Sequence, residues 1–234
     1  MAETASLNLP LLQPSQAQKH VTVNEALVRL DGLAQLRLES RSVSSPPGGA
    51  SDGQCYAVPD GAGGAWAGHD GEIAIYSNGG WTYARPQTGW EGWLVDEGRR
   101  GIFVDGRWAS DVLATSQGAA HSSFRVATTE HEITTSGAQD VELPVPADSM
   151  LFACSARVVE PLTGTLTAWK LGTSAQADQF GSGMGIGAGS YCTGLLGQPF
   201  TVYSETQPRI APIGGSLTGG KLRLAVHFYR IELP

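Results

Sequence analysis

The stretch Lys221–Glu232, KLRLAVHFYRIE, decides the fold. Leu222, Leu224, Val226 and Phe228 fall on one side of an extended chain, and Arg223, Ala225 and His227 on the other. A period of two is the mark of a strand with one buried face. Met150–Val159 reads as a second long strand, and Gly164–Gly172 is expected to pair with it as a hairpin across Pro161-Leu162-Thr163. Val141–Val145, fringed by Pro144 and Pro146, reads as an edge strand, and Gln198–Glu205 and Pro208–Ile213 complete the set. Residues 124–234 are therefore expected to form an antiparallel β-sandwich, jelly-roll-like.

Inside that region Gly181, Gly183, Gly185, Gly187 and Gly189 occur at every second position. In a strand they would form one bare face, open to another backbone, an aromatic ring or a symmetry mate. No G-x-G-x-x-G register fits and no Gly-Lys-Ser/Thr follows, so this is not a phosphate loop.

Working back, residues 46–110 read as a small Trp- and Gly-rich β unit. Its expected strands are Gln54–Val58, Glu72–Ser77, Trp81–Arg85, Gly92–Val95, Gly101–Val104 and Arg107–Ala109, with hairpin signals at Asn78-Gly79 and Asp105-Gly106. Five of the six tryptophans, Trp66, Trp81, Trp90, Trp93 and Trp108, lie here. They form either the core of the unit or a stacking platform for a ligand. Residues 111–123 are small and polar and read as a linker.

The chain opens with an arm ending in Leu9-Pro10-Leu11-Leu12, expected to lie along a partner or a neighbouring copy. The one clear helix follows over 14–32. Ser15 and Gln18 form a capping box, His20, Val23, Leu27 and Leu30 share a face, and Asp31-Gly32 supplies the stop. A helix of that length is marginal alone in water. Its apolar face is covered either by its own domain or by an assembly partner, and residues 1–45 are assigned to anchoring and oligomerisation.

The run Leu7–Leu27, LNLPLLQPSQAQKHVTVNEAL, resembles the opening signature of a phage-related family of unknown function, common in alphaproteobacterial prophages and gene transfer agents. Gln16–Val21 and Asn24–Leu27 carry the match, and Thr218–Phe228 is similar to the final strand of that family, with Phe228 where Tyr is frequent. The resemblance implies a fibre or spike of a phage-like particle with a carbohydrate-binding tip, and it identifies no catalytic residue. Attachment or oligomerisation is then expected at Leu9, Leu11, Gln16, Gln18, His20, Val23, Asn24 and Leu27. The partners are other particle proteins, in capsid or tail, and copies of the same chain, as a trimer or alternatively a pentamer. Carbohydrate binding asks for an exposed aromatic face with fixed polar groups around it, which Trp169, Tyr191 and Tyr203 with Asp178, Gln179 and Glu205 can supply.

Composition narrows the alternatives. Of the 234 residues 16% are charged, against about a quarter ordinarily, which suits a β-rich protein. The net charge of −7 argues against a nucleic-acid backbone as partner. No run of about 20 apolar residues predicts a membrane helix, and no signal peptide is read. Synthesis in the bacterial cytoplasm and display on a particle are expected. Cys55, Cys154 and Cys192 lack metal-type spacing and read as free thiols. Gly49-x-Ser51-x-Gly53 lacks the strand-to-helix setting of a nucleophile elbow, and Thr135 stands where the His131-Glu132 pair would need a second zinc-binding histidine. No metal, cofactor or enzymatic role is expected. Two other readings stay open: a depolymerase using two of Glu160, Asp178 and Glu205, and an architectural adaptor with no glycan ligand.

Overall fold

The structure is a computed structural model that describes residues 3–12, 19–116 and 120–233, the side chains of Lys19 and His20 excepted. The protein is mainly β, with one α-helix among the described residues. It divides into two compact units, Met1–Val112 with Ser116–Ala119, and Leu113–Thr115 with Ala120–Pro234. The expected capping box at Ser15 and Gln18 lies outside the described residues.

The first unit holds helix α1 (Lys19–Leu33) and strands β1 (Arg37–Leu38), β2 (Cys55–Ala57), β3 (Ile73–Ser77), β4 (Gly80–Ala84), β5 (Glu91–Leu94), β6 (Arg99–Val104) and β7 (Arg107–Ser110). The strands form one sheet in the order β4-β3-β2-β1-β5-β6-β7. Only β1 runs parallel to its neighbours, β2 and β5; the other pairs are antiparallel. The two tight hairpins form where Asn-Gly and Asp-Gly stand. Asn78 and Gly79 have φ of 50° and 77°, and Asp105 and Gly106 have 52° and 76°, the left-handed pair that a type I′ turn requires.

Both faces of this sheet are covered. Leu38, Ile73, Ile75, Leu94 and Trp108 pack on one face, and Tyr56, Ala74 and Trp66 on the other. Trp66 and Trp108 are buried, and Trp81 and Trp90 pack half-buried against the two clusters. Only Trp93 of the five is exposed, at 48%. The tryptophans are core before they are platform.

Two local expectations change. Leu36, Leu38, Ser40 and Ser42 alternate with Arg37, Glu39, Arg41 and Val43 as a strand would, but the strand shrinks to β1, because the Ser40 hydroxyl accepts the Ser42 amide at 3.1 Å and so offers the backbone a turn in place of a ladder. The helix does not stop at Gly32. It runs on to Leu33, and the left-handed residue just beyond it is Gln35, φ 58°. Gly32 is required for a different reason: a Cβ there would lie 2.9 Å from Ile75 Cγ2 and 3.3 Å from Cys55 Sγ. A Gly32→Ala substitution gains about 0.8–1 kcal/mol of helix propensity but crowds a filled core at a cost of roughly 1–3 kcal/mol. Crowding wins, and chemical denaturation is expected to show a net loss of about 1 kcal/mol. An unchanged or raised midpoint would mean that Ile75 gives way freely.

The second unit holds β8 (Val112–Thr115), β9 (His121–Glu132), β10 (Gln139–Asp140), β11 (Ser149–Gly164), β12 (Ala168–Gly172), β13 (Gly181–Met184), β14 (Tyr191–Cys192), β15 (Leu195–Val202), β16 (Arg209–Ile213) and β17 (Leu217–Glu232). One sheet runs β14-β11-β17-β9-β8, with β15 also on β11; the other runs β10-β16-β12-β13. Leu151, Leu222, Leu224 and Val226 of the first sheet meet Trp169, Leu171 and Ile210 of the second in one core. This is the expected antiparallel sandwich. The stretch read as a linker carries β8 and the start of β9, with residues 117–119 outside the described set.

Three details of the sandwich differ from the expectation. β11 and β12 do not form a hairpin: β11 pairs with β17, and β12 crosses to the other sheet, between β16 and β13. That crossing brings Trp169 and Leu171 inward from the opposite layer, while Pro161, which has no N–H for a ladder, sits at a register shift of β11. Val141, Leu143 and Val145 are buried in the alternation expected of an edge strand, but Pro144 and Pro146 reduce the pairing to a bridge between Val145 and Thr206. The alternating glycines form no bare face either. β13 ends at Met184, and Gly183 and Gly189 adopt φ of 77° and 86°, which turns the chain. The close backbone approach occurs a few residues later, at Gly194, where a Cβ would stand 1.8 Å from the Cys154 carbonyl oxygen.

Candidate functional site

In the first unit the N-terminal arm folds back on its own domain, where the sequence placed it along a partner. Glu3 and Pro10 close a small hairpin, and the Thr4 amide donates to the Leu9 carbonyl at 3.0 Å. Asp31, in the last turn of α1, holds that hairpin. The Thr4 hydroxyl donates to Oδ1 at 2.6 Å, the Leu7 amide to Oδ1 at 2.6 Å, and the Ser6 amide to Oδ2 at 2.9 Å. Burial works to raise the Asp31 carboxyl, but these donors outweigh it and hold the group below its ordinary value. Asn24 makes a second clip: its Oδ1 accepts the Leu12 amide at 2.9 Å and its Nδ2 donates to the Leu12 carbonyl at 3.0 Å. Of the residues expected to serve attachment, Asn24 thus positions the arm. Leu9, Leu11 and Leu27 are half-buried, and Val23 is exposed. Gln16, Gln18 and the His20 side chain lie outside the described residues.

The helix that carries the clips is barely covered. Val21, Val23 and Leu30 are 46%, 40% and 53% exposed, although the sequence placed Val23 and Leu30 on an apolar face that needs a cover. A groove between the helix and the β3–β4 hairpin is lined by Leu11, Val21, Ala26, Val28, Thr82 and Tyr83. No described helix is long and apolar enough to cross a membrane.

In the second unit the six residues expected to bind carbohydrate do not form one platform. Trp169 is fully buried, and its Nε1 donates to the Gly185 carbonyl at 2.8 Å. Gln179 is occupied in accepting the Thr173 hydroxyl at 3.0 Å. Asp178 and Glu205 are exposed, as are Tyr191 at 62% and Tyr203 at 83%. Tyr191 lies opposite Arg157 of β11, whereas Tyr203 follows Val202, which lies opposite Ser149. Eight residues of strand separate them, about 26 Å from the start of β11 to its middle.

The register gathers a different group around Tyr191. Tyr191, Arg157, Arg223 and Glu130 are successive cross-strand partners on β14, β11, β17 and β9. The Arg157 guanidinium carbon lies 5.8 Å from the Tyr191 ring centroid. Arg223 donates to Glu130 Oε1 from Nε at 3.0 Å and Nη2 at 2.5 Å, and those hydrogen bonds, with the charge behind them, hold the Glu130 carboxyl below its ordinary value. A shallow depression of about 390 Å³ lined by Tyr191, Arg157 and Arg223 also reaches Thr128, Ser155 and Thr193. Sequence alternation marks Arg223 as outward-facing, whereas Arg157 shares a period of two with the buried Leu151 and reaches the outer face through the register shift between Leu151 and Ala153. Among the described residues no group of three or more His, Cys, Asp or Glu side chains is arranged to hold a metal ion.

The class so defined is a mainly β protein of two units, one with a latched arm and an uncovered helix, the other a sandwich with a polar patch on its long sheet. Residues 23–109 match the model of a family described as a protein of unknown function, DUF2793. The match takes in Asn24–Leu27 and leaves Gln16–Val21 outside. Among solved structures, a chain of the cyanophage Pam1 capsid asymmetric unit is similar at 21% identity and a TM-score of 0.37, over 47% of this chain and 86% of its own. A chain of the acid-stable capsid of Helicobacter pylori bacteriophage KHP30 is similar at 12% identity and a TM-score of 0.35, over 48% of this chain and 96% of its own. No curated protein matches the chain.

Proposed function

We propose that the chain is a structural, non-enzymatic subunit of a phage-like particle, such as a phage, prophage or gene transfer agent. It is a fibre or spike that attaches through its first unit and binds host cell-surface polysaccharide through its second. The particle assignment rests on the opening signature at Leu7–Leu27. The observation that carries the subunit role is the uncovered side of α1. Asp31 and Asn24 fix the arm to this helix at five hydrogen bonds, yet Val23 and Leu30, which share one face of it, are left to solvent. An apolar helical face held in place and left bare is what a subunit interface needs.

A trimer is the favoured assembly, with a pentamer as the alternative. Light scattering of the full chain is expected to give a multiple of 24.5 kDa. Val23→Asp combined with Leu30→Asp is expected to lower that mass toward one chain, with a stability change within about 0.5 kcal/mol because both sites are exposed. Unchanged mass in the variant would remove the helix from the interface. Polysaccharide incubated with the protein is expected to be retained at its original length; shortening would replace the non-enzymatic reading by the depolymerase.

The architectural adaptor is favoured by one observation. Phe124, Met150 and Tyr229 are cross-strand partners on the outer side of the long sheet, and Phe124, Val126 and Met150 stay 38–46% exposed. If that side is closed by another subunit and no polysaccharide is retained, the adaptor stands.

A further inference from the structure

We infer that Arg157 and Tyr191 form a subsite for an acidic sugar, a uronic acid or a similarly carboxylated ring. The inference rests on the polysaccharide reading above and names the ligand class and the residues. It starts from an imbalance of charge. Arg157 and Arg223 stand directly opposite one another on β11 and β17, an arrangement of like charges that costs stability in a sheet. Glu130 on the next strand neutralises Arg223 at 2.5 Å. Among the described residues no carboxylate within ion-pair distance serves Arg157, whose guanidinium lies over the Tyr191 ring. An acidic chain of net charge −7 thus keeps an exposed guanidinium unneutralised beside a second one.

The surroundings define what would neutralise it. A guanidinium offers a planar fork of donors that fits a carboxylate at two points. Tyr191, 62% exposed, presents a flat apolar ring against which the C–H face of a sugar can rest. Thr128, Ser155 and Thr193 border the same depression and bring hydroxyls that donate or accept as a sugar hydroxyl demands. A neutral sugar would leave Arg157 unused. A nucleic acid needs a line of positive charge along its phosphates, and this face has one uncompensated arginine. A single carboxylate on a ring with hydroxyls matches the number and kind of groups present.

The test uses the full-length protein and a panel of oligouronates (galacturonate, glucuronate, and mannuronate with guluronate) beside their neutral methyl esters, read by calorimetry or affinity retention. At least one acid is expected to bind, with its ester at least tenfold weaker and binding weakened by added salt. Arg157→Ala and Tyr191→Ala are each expected to lose tenfold or more, and Arg157→Lys less than Arg157→Ala, since it restores charge without the fork. Both residues are exposed, so an unchanged melting temperature in each variant confirms that folding is intact. Polysaccharide from host cells, bound equally well by wild type and Arg157→Ala and indifferent to esterification, would overturn this subsite while sparing the polysaccharide reading. Failure to retain any oligouronate or host polysaccharide would overturn both.

Discussion

Trp169→Ala is expected to destabilise the second unit by about 4 kcal/mol, near the upper range for a large aromatic removed from a core. The indole has no exposed surface and packs among Leu171, Ile210 and the inward residues of β11 and β17. Its removal takes away the buried area, leaves a cavity and orphans the Gly185 carbonyl that now accepts Nε1 at 2.8 Å. In a unit of this size the melting temperature should fall by roughly 10–20 °C. Trp169→Phe keeps much of the volume but loses the donor, and about 2 kcal/mol is expected for it. Because the other five tryptophans lie in the first unit, the loss should appear in the melting transition of the sandwich and leave their fluorescence unmoved. At temperatures where Trp169→Phe is folded it should bind oligouronates as wild type does. A drop in affinity without a drop in stability would return Trp169 to the ligand surface where sequence reasoning placed it.

That misplacement shows what a single sequence can carry. The outward and inward sets of Lys221–Glu232 were legible because side chains alternate along a strand whatever its neighbours are. Asn78-Gly79 and Asp105-Gly106 were legible because a type I′ turn needs left-handed residues locally. Trp169 obeys the same alternation, yet alternation does not say which layer a strand joins. The crossing of β12 into the second sheet is settled by long-range packing, and Pro161 conceals it by looking like a hairpin corner. Register is hidden for the same reason: Tyr191 and Tyr203 are close in sequence yet stand beside the middle and the start of β11, whereas Arg157 and Arg223 are 66 positions apart and face each other. Gly32 misled in another way. Its conformational freedom suggested a helix stop, while its lack of a side chain is what the contact with Ile75 uses.

Asp31 is the residue whose role sequence reasoning had no means to see, and its replacement should change the arm more than any other single substitution. In Asp31→Ala the Thr4 hydroxyl and the Ser6 and Leu7 amides lose their common acceptor. A hydrogen bond to a charged group contributes roughly 1.5–3 kcal/mol, and part of that gain is spent in ordering the arm. A local loss of about 3 kcal/mol is expected, which corresponds to about a hundredfold faster hydrogen exchange at the Leu7 and Leu9 amides. Acid should have the same effect as the substitution. The folded carboxyl lies below its ordinary value of 3.8, so the stabilisation is complete above that value and is lost as pH falls through the lowered one. The Cys55 thiol, pushed up to about 12 by burial and then by the Glu39 and Asp31 charges, stays neutral throughout the acid window. Exchange at pH 7 should therefore separate wild type from Asp31→Ala, and the two should converge as acid protonates the carboxyl. An arm equally protected in both proteins at pH 7 would mean that the Asn24 clip and the Thr4–Leu9 bond hold it alone.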